Sequence, residues 1–135
     1  VPFLFDTDIV SNLFKKQPSP VLQKRLSVLP RDQQFISAIT VYEMLYGGLR
    51  SAHPEKHLHN LKKVLLPMVQ VLSFDEKAAF QAAEIRTFLE KKGTSIDLPD
   101  LQIAAIARSN NCTLVTANLR HFREVPDLKM ENWLG

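Results

Sequence analysis

The pattern of apolar residues predicts an α/β protein: a three-layer α/β/α sandwich on a central parallel sheet of four to five strands. Three observations carry this expectation. Apolar runs of strand length alternate with stretches of helical periodicity, the order expected of parallel strands joined by right-handed crossovers. The first run, Phe3-Leu4-Phe5, shows no polar alternation, as a strand covered on both faces requires. It stops at two acids, Asp6 and Asp8, and a helical stripe follows at once. An acid delivered to a strand-to-helix turn stands where open α/β sheets bind ligands, beyond the carboxyl ends of the strands.

The elements follow in order. Ile9, Val10, Leu13 and Phe14 form the apolar stripe of a first helix, ended by Gln17-Pro18-Ser19-Pro20. Val21, Leu22, Leu26 and Leu29 give a second, closed by Pro30. Gln34 to Ala38 reads as the second strand. Thr40 and Glu43 then fit a capping box opening a third helix, which carries Met44, Leu45 and Leu49 and is weakened by Gly47-Gly48. Ala52-His53-Pro54 breaks it, and Leu58, Leu61, Val64, Leu65 and Met68 make the next helical stripe. Val69 to Leu72 is the third strand. Ser73 with Glu76 fits a second capping box, opening a long helix through Ala79, Phe80, Ala83, Ile85, Phe88 and Leu89 that stops at Lys91-Lys92-Gly93. Asp97 as N-cap, with Pro99 in the first turn, opens a helix running to Arg108. Thr113 to Thr116 is the fourth strand, and Leu128-Lys129-Met130 a short fifth.

Composition bounds the function. The 135 residues suit one domain, 1–135, with a single sizeable core. No apolar run approaches membrane-span length and no basic, apolar leader opens the chain, so the expectation is a cytoplasmic protein off the membrane. A single cysteine, Cys112, makes no internal disulfide and no cysteine metal cage, and its place beside the fourth strand reads as a small buried hydrophobe. The formal charge of +3 is compatible with a nucleic-acid partner without requiring one. Most aromatics fall on apolar stripes and read as core. The four histidines, His53, His57, His59 and His121, are assigned no catalytic role.

Acids carry the chemistry. Asp6 with Asp8, Glu43, Asp97 with Asp100, and Asn118 all stand at or just beyond a strand end or a helix start. Each has a structural use, as cap, dipole partner or turn former. Helix N-termini of a parallel sheet face the same edge as the strand C-termini, so Asp6, Glu43, Asp100 and Asn118 are expected to approach one crevice. Carboxylates brought together repel unless a proton or a cation intervenes. An all-oxygen set with no His or Cys points to Mg²⁺ or Mn²⁺, and such a site suits cleavage of phosphate esters.

With these residues in view, the chain resembles the PIN-domain family. The likeness rests on four stretches in order: Phe5-Asp6-Thr7-Asp8-Ile9, the segment from Ser37 to Gly47 around Glu43, the segment Asp100 to Ala105, and Leu114-Val115-Thr116-Ala117-Asn118 followed by Arg120-His121-Phe122. It extends to Trp133 and is closest to the VapC toxins of bacterial toxin–antitoxin pairs. The resemblance implies a PIN-like sandwich and a Mg²⁺-dependent endoribonuclease, with Mn²⁺ as a substitute. It also implies a homodimer that cleaves RNA and is restrained by a VapB-type antitoxin. Asp6, Glu43 and Asp100 match the metal-binding catalytic acids. Asn118 stands where many PIN domains have a fourth acid, Thr116 matches a hydroxyl near it, and Asp8 takes a supporting role. Asp97 falls where the toxins often carry Gly and is read as a cap. The groove for an antitoxin helix is expected among Met44, Leu45, Leu49, Leu58, Leu61 and Leu65.

Two other readings use the same residues. A haloacid-dehalogenase-type phosphatase would take Asp6 as nucleophile, Asp8 as general acid and Ser37 as a phosphate-binding hydroxyl. It lacks the lysine motif and the strand before its later acids. A non-catalytic RNA-binding module of the same fold would not need Asp6, Glu43 and Asp100 together.

Overall fold

The computed structural model describes residues 2–135 and has one five-stranded sheet, β1 (Phe3–Phe5), β2 (Gln34–Ser37), β3 (Gln70–Leu72), β4 (Thr113–Val115) and β5 (Met130–Glu131). The spatial order is β3-β2-β1-β4-β5, and every neighbouring pair is parallel. The chain leaves β1 toward β2 on one side and reaches β4 on the other, so the topology reverses at β1. Ligand crevices of open parallel sheets form at that reversal.

The helices are α1 (Thr7–Leu13), α2 (Pro20–Val28), α3 (Ala38–Leu49), α4 (Pro54–His59), α5 (Glu76–Lys91), α6 (Leu98–Ser109) and α7 (Leu119–Phe122). The strict alternation of strand residues divides the core in two. Leu4 and its neighbour Leu114 pack under α5 and α6, with Ile85, Leu89, Ile103 and Ile106. Phe5 and its neighbour Val115 turn the other way, onto Ile9, Val10, Leu22 and Leu65. Helices therefore cover both faces, as the unbroken apolar run of β1 requires. Trp133 seals the base of β1. It packs against Phe3 and Phe5 at ring-centroid distances of 4.9 and 5.5 Å, with the Arg25 guanidinium 4.3 Å above its ring.

Several local expectations are corrected. Thr40 is not the cap of α3: Ser37, the last residue of β2, accepts from the Thr40 amide at 3.0 Å. The strand passes into the helix with no loop, so the capping hydroxyl has to come from the strand end. Asp75, not Ser73, caps α5, accepting from the Ala78 amide at 3.0 Å. Asp97 occupies the cap position of α6 without a side-chain capping bond. The stripe from Leu58 to Met68 is not one helix: α4 loosens into a π-helical turn over Asn60–Leu65 and a 3₁₀ turn over Leu66–Met68. Pro67 has no amide to donate to a continuing α-helix. On α5 the buried face is Ala78, Ala82, Ile85 and Leu89, which leaves Phe80 and Phe88 exposed. β5 pairs through Met130 and Glu131, shifted past the predicted Leu128. Cys112 is buried as expected, and burial pushes its thiol up to about 11.

Gly48 sets the α3–α4 contact. A Cβ there would lie 2.7 Å from the His57 Cβ, whereas one at Gly47 would meet nothing within 4 Å. Gly47→Ala is expected to stabilise by ~0.5–1 kcal/mol through helix propensity. Gly48→Ala should lose ~1–3 kcal/mol to overpacking despite the same propensity gain. Denaturant unfolding of the two variants checks this, and equal stabilities would mean that α3 and α4 are not in tight contact.

Candidate active site

The crevice at the carboxyl edge of β1, β2 and β4 is lined by Asp6, Asp8, Glu43, Asp97, Asp100 and Asn118, together with Thr7 and His121, around a cavity of about 620 Å³. Each acid arrives by a different route. Asp6 follows β1 directly. Its backbone amide still donates to the Val115 carbonyl at 2.9 Å, so the β1–β4 pairing fixes where it stands. One carboxylate oxygen caps α1 by accepting from the Thr7 amide at 2.8 Å, and the other accepts from the Thr116 hydroxyl at 2.8 Å. Thr116, fully buried one residue past β4, also accepts from the Asn118 amide at 3.0 Å. Asp6 and Thr116 thus lock the two central strands at their ends.

Glu43 sits on the second turn of α3 and is held by a chain of hydroxyls that the sequence reading missed. Thr7 donates to Glu43 Oε1 at 2.6 Å. Since the single Thr7 proton goes to Glu43, Thr40 donates to Thr7 at 3.0 Å and Ser37 to Thr40 at 3.3 Å. The direction is one-way, from the end of β2 to the carboxylate. Thr40 was visible in the sequence only as a capping candidate, and its burial is what reveals its part here.

Asp8 is drawn away from solvent. One oxygen accepts from the Ala117 amide at 3.0 Å and from the Asn118 side-chain amide at 3.1 Å. The other is buried with no partner in the protein. Asp100, in the first turn of α6, lies 3.3 Å from the His121 Nδ1. His121 enters the site although sequence reasoning gave it no role. Its position is set by buried Phe122 beside it and by its own amide, which donates to the Asn118 carbonyl at 3.0 Å. Asp97, with no capping bond to make, faces the same crevice.

Burial dominates the electrostatics. It pushes Asp6 up to about 6; the neighbouring Asp8 charge adds to this, the Thr116 and Thr7 hydrogen bonds pull it back, and Asp100 pushes up again. Asp8 is raised by burial against the opposing Ala117 hydrogen bond. Burial also raises Asp100, opposed by His121, with the Asp97 charge and then Glu43 pushing the same way as burial. Repulsion among the acids is therefore real but second to desolvation.

Three features of the site fit a hard divalent cation: its donors are all oxygen, the Asp6, Asp8 and Asp100 carboxyls are held above their usual range, and one buried Asp8 oxygen has no partner. As the side chains stand, no three acids, histidines or cysteines among the described residues are close enough to coordinate one ion. Both Asp6 oxygens and one Glu43 oxygen are spent on Thr7 and Thr116 instead.

The PIN-domain sequence profile matches residues 3–128. The chain belongs to the PIN-domain family. Within it, this PIN domain is VapC-like. It is 33% identical to ribonuclease VapC2 of Rickettsia felis over 131 residues, covering 97% of each chain. It is also 33% identical to the tRNA(fMet)-specific endonuclease VapC of Salmonella typhimurium, again with 97% of each covered. The toxin fold in DNA-bound VapBC from Salmonella typhimurium superposes with a TM-score of 0.91 at 32% identity, covering 98% of both chains. The phosphatase alternative falls with this membership. Its phosphate-binding hydroxyl also fails on geometry, because Ser37 is fully buried and occupied as the cap of α3.

The raised Asp6 carboxyl makes a pH prediction. Its value moves from an ordinary 3.8 to about 6 on folding, so the folded state binds this proton more tightly than the unfolded chain. The stabilisation is complete below pH ~4 and is lost as pH rises through about 6, a loss on the order of 3 kcal/mol above that. In EDTA, Asp6→Asn should be more stable than wild type at pH 7 and should show a shallower decline between pH 4 and 6.5, keeping only the share that Asp8 and Asp100 contribute. Urea unfolding across that range checks it. A variant less stable at pH 7 would mean that Asp6 serves mainly as a cap.

Proposed function

We propose that this PIN domain is an endoribonuclease toxin, dependent on Mg²⁺ or Mn²⁺, that hydrolyses RNA phosphodiester bonds. One observation carries the reading: Asp6, Glu43 and Asp100 arrive from three separate elements in a single crevice at the topological reversal of the sheet. A ribonuclease name on relatives aligned over nearly the whole chain supports the same reaction here.

Asp6, Glu43 and Asp100 are the residues that would hold the ion. When bound, the ion supplies charge to the phosphoryl oxygens and lowers the pKa of an attacking water. The remaining work belongs to the protein. Thr116 and the Thr7 amide hold Asp6 in one orientation, and the hydroxyl chain from Ser37 does the same for Glu43. Asp8 supports from beneath, fixing the Ala117–Asn118 turn and adding negative charge next to Asp6. His121 holds Asp100 from the outer side. These bonds fix each carboxylate singly, and closing three of them on one ion takes side-chain rotation, because no three stand within reach of one ion among the described residues.

Partners follow from exposed apolar surface. Tyr42 and Tyr46 on α3 stack with centroids 6.1 Å apart, and Leu49 lies one turn on; all three are exposed. We assign this face of α3 to a second copy of the chain, which takes Leu49 out of the antitoxin groove expected from the sequence. Leu61 and Leu65, placed in the antitoxin groove by the sequence, are buried core and unavailable. Exposed Val21 and Val28 on α2, with Val64 and Met68 beyond α4, are apolar surface that a VapB-type antitoxin segment would cover. VapBC complexes among the structural relatives support such a partner.

Asp100→Asn should abolish Mg²⁺-dependent cleavage of a total-RNA mixture and remove most of the Mg²⁺-induced rise in melting temperature. Full cleavage by wild type in excess EDTA would sink the metal assignment. For the second copy, light scattering at micromolar protein should give a dimer mass for wild type and a monomer mass for Tyr46→Glu. A dimer that survives Tyr46→Glu would place the interface elsewhere.

A further inference from the structure

Beside the acid crevice lies a second cavity of about 250 Å³ between the end of α5, the loop before α6 and α7. The two share Asp97, Asp100 and His121 as a common wall. Leu89, Ile96 and Val125 form an apolar floor, with Leu89 and Val125 buried. Thr94 and Ser95 line one side, and among the described residues their hydroxyls make no hydrogen bond within the protein. Arg120 stands at the rim, and Glu124 beside it is already engaged by Lys92 at 3.0 Å, which holds its carboxyl below the usual range. Arg120 makes no ion pair or side-chain hydrogen bond among the described residues. It is thus the uncompensated cation at the mouth of a cavity that opens onto the acids.

Resting on the ribonuclease reading, we infer that this cavity is a nucleotide subsite. It takes the base next to the cleaved phosphodiester on its apolar floor and a flanking phosphate on Arg120. Three physical reasons favour that ligand. Single-stranded RNA is recognised through unstacked bases that are splayed out against side chains, here with the His121 ring and the Arg120 guanidinium in the lining, and hydrogen-bonded at their edges. Hydroxyls both donate and accept, so Thr94 and Ser95 can read a base edge in either sense. A guanidinium fork matches phosphate oxygens bidentately. The shared wall through Asp100 and His121 puts the base next to the acids, so its identity would decide which phosphodiester enters the crevice.

Binding of short fluorescent homopolymer RNAs of A, U and C, measured in EDTA with the whole chain, tests this. Wild type should rank them with a spread of roughly fivefold or more, the size of one hydrogen-bonded base contact. Thr94→Val with Ser95→Ala, and separately Ile96→Phe, should collapse that spread. Arg120→Ala should weaken all three alike and flatten the log–log salt dependence by about 0.7, one phosphate contact fewer. Circular dichroism establishes that each variant is folded; should Ile96→Phe not fold, the hydroxyl pair decides. Equal wild-type affinities, an unmoved ranking in the hydroxyl variant, or an unchanged salt slope for Arg120→Ala each overturn the subsite while leaving the nuclease reading intact. Wild-type protein that binds no RNA at all in EDTA also overturns the subsite, whereas the nuclease reading stands or falls separately on Mg²⁺-dependent cleavage of total RNA.

Discussion

The hydrogen bond from buried Thr116 to Asp6 is the constraint on which the rest of the site depends. It joins the ends of β1 and β4, the two parallel strands between which the winding order of the chain reverses, and it fixes a carboxylate that is almost wholly out of solvent. A parallel sheet with helices on both faces leaves only its strand ends open to chemistry. Whatever stands at the end of the central strand is therefore surrounded by helix N-termini and neighbouring strand ends. Here that residue is an acid, and the other acids are arranged around it. The base of β1 is closed by Trp133 and Arg25, so the strand carrying Asp6 is anchored at both ends.

Burial gives this acid cluster its chemical character. Exposed carboxylates at the same separations would be screened and stay ionised. In the crevice, desolvation raises Asp6, Asp8 and Asp100 together, and the repulsions among them come second. A site of this kind stores an electrostatic penalty that a proton or a cation relieves. The hydroxyls serve a complementary purpose: Thr7, Thr40 and Thr116 give Asp6 and Glu43 partners and hold them in place. Each of these two acids thus has a defined resting partner, which an arriving cation must displace before three carboxylates can meet on it.

The sheet was legible because its signal is collective. An apolar run, a turn and a helical stripe repeat along the chain, and one misread residue does not alter the pattern. Asp6, Glu43 and Asp100 were legible for a related reason, since acids at strand ends or helix starts of a parallel sheet have to share an edge. The hydroxyl chain was not legible. Thr40 in front of Glu43 matches a capping box, and only the absence of a loop after β2 moves the cap to Ser37 and releases Thr40 to the site. His121 was hidden because its partner, Asp100, is distant in sequence and is brought near by the packing of α7 against α6. The exposure of Phe80 and Phe88 had a similar cause. A helix with apolar residues on two faces cannot reveal which face the sheet will cover, and the small Ala78 and Ala82 won the closer approach.

Capping and chemistry compete for the same short acidic side chains, and hydrogen bonding separates them here. Asp75 gives its carboxylate to the Ala78 amide at the start of α5 and lines no crevice, so it is a cap. Asp97 occupies the equivalent position of α6, accepts from the Leu101 amide with its backbone carbonyl but makes no side-chain capping bond, and lines both cavities. Asp6 divides its two oxygens, one capping α1 and one binding Thr116, and is the most buried of the three. A helix start supplies positive potential whether or not its first residue caps it. An acid that declines the cap still benefits from that field while keeping its oxygens free. At the start of α6 Asp97 is such an acid, and Asp100 in the first turn, engaged by His121, stands beside it at the wall between the acid crevice and the neighbouring cavity. Their helix is stabilised instead by Pro99 in its first turn, which needs no amide partner. With its buried face of Leu101, Ile103 and Ile106 holding α6 in the core, the helix does not depend on a side-chain cap, and Asp97 is left available to the site.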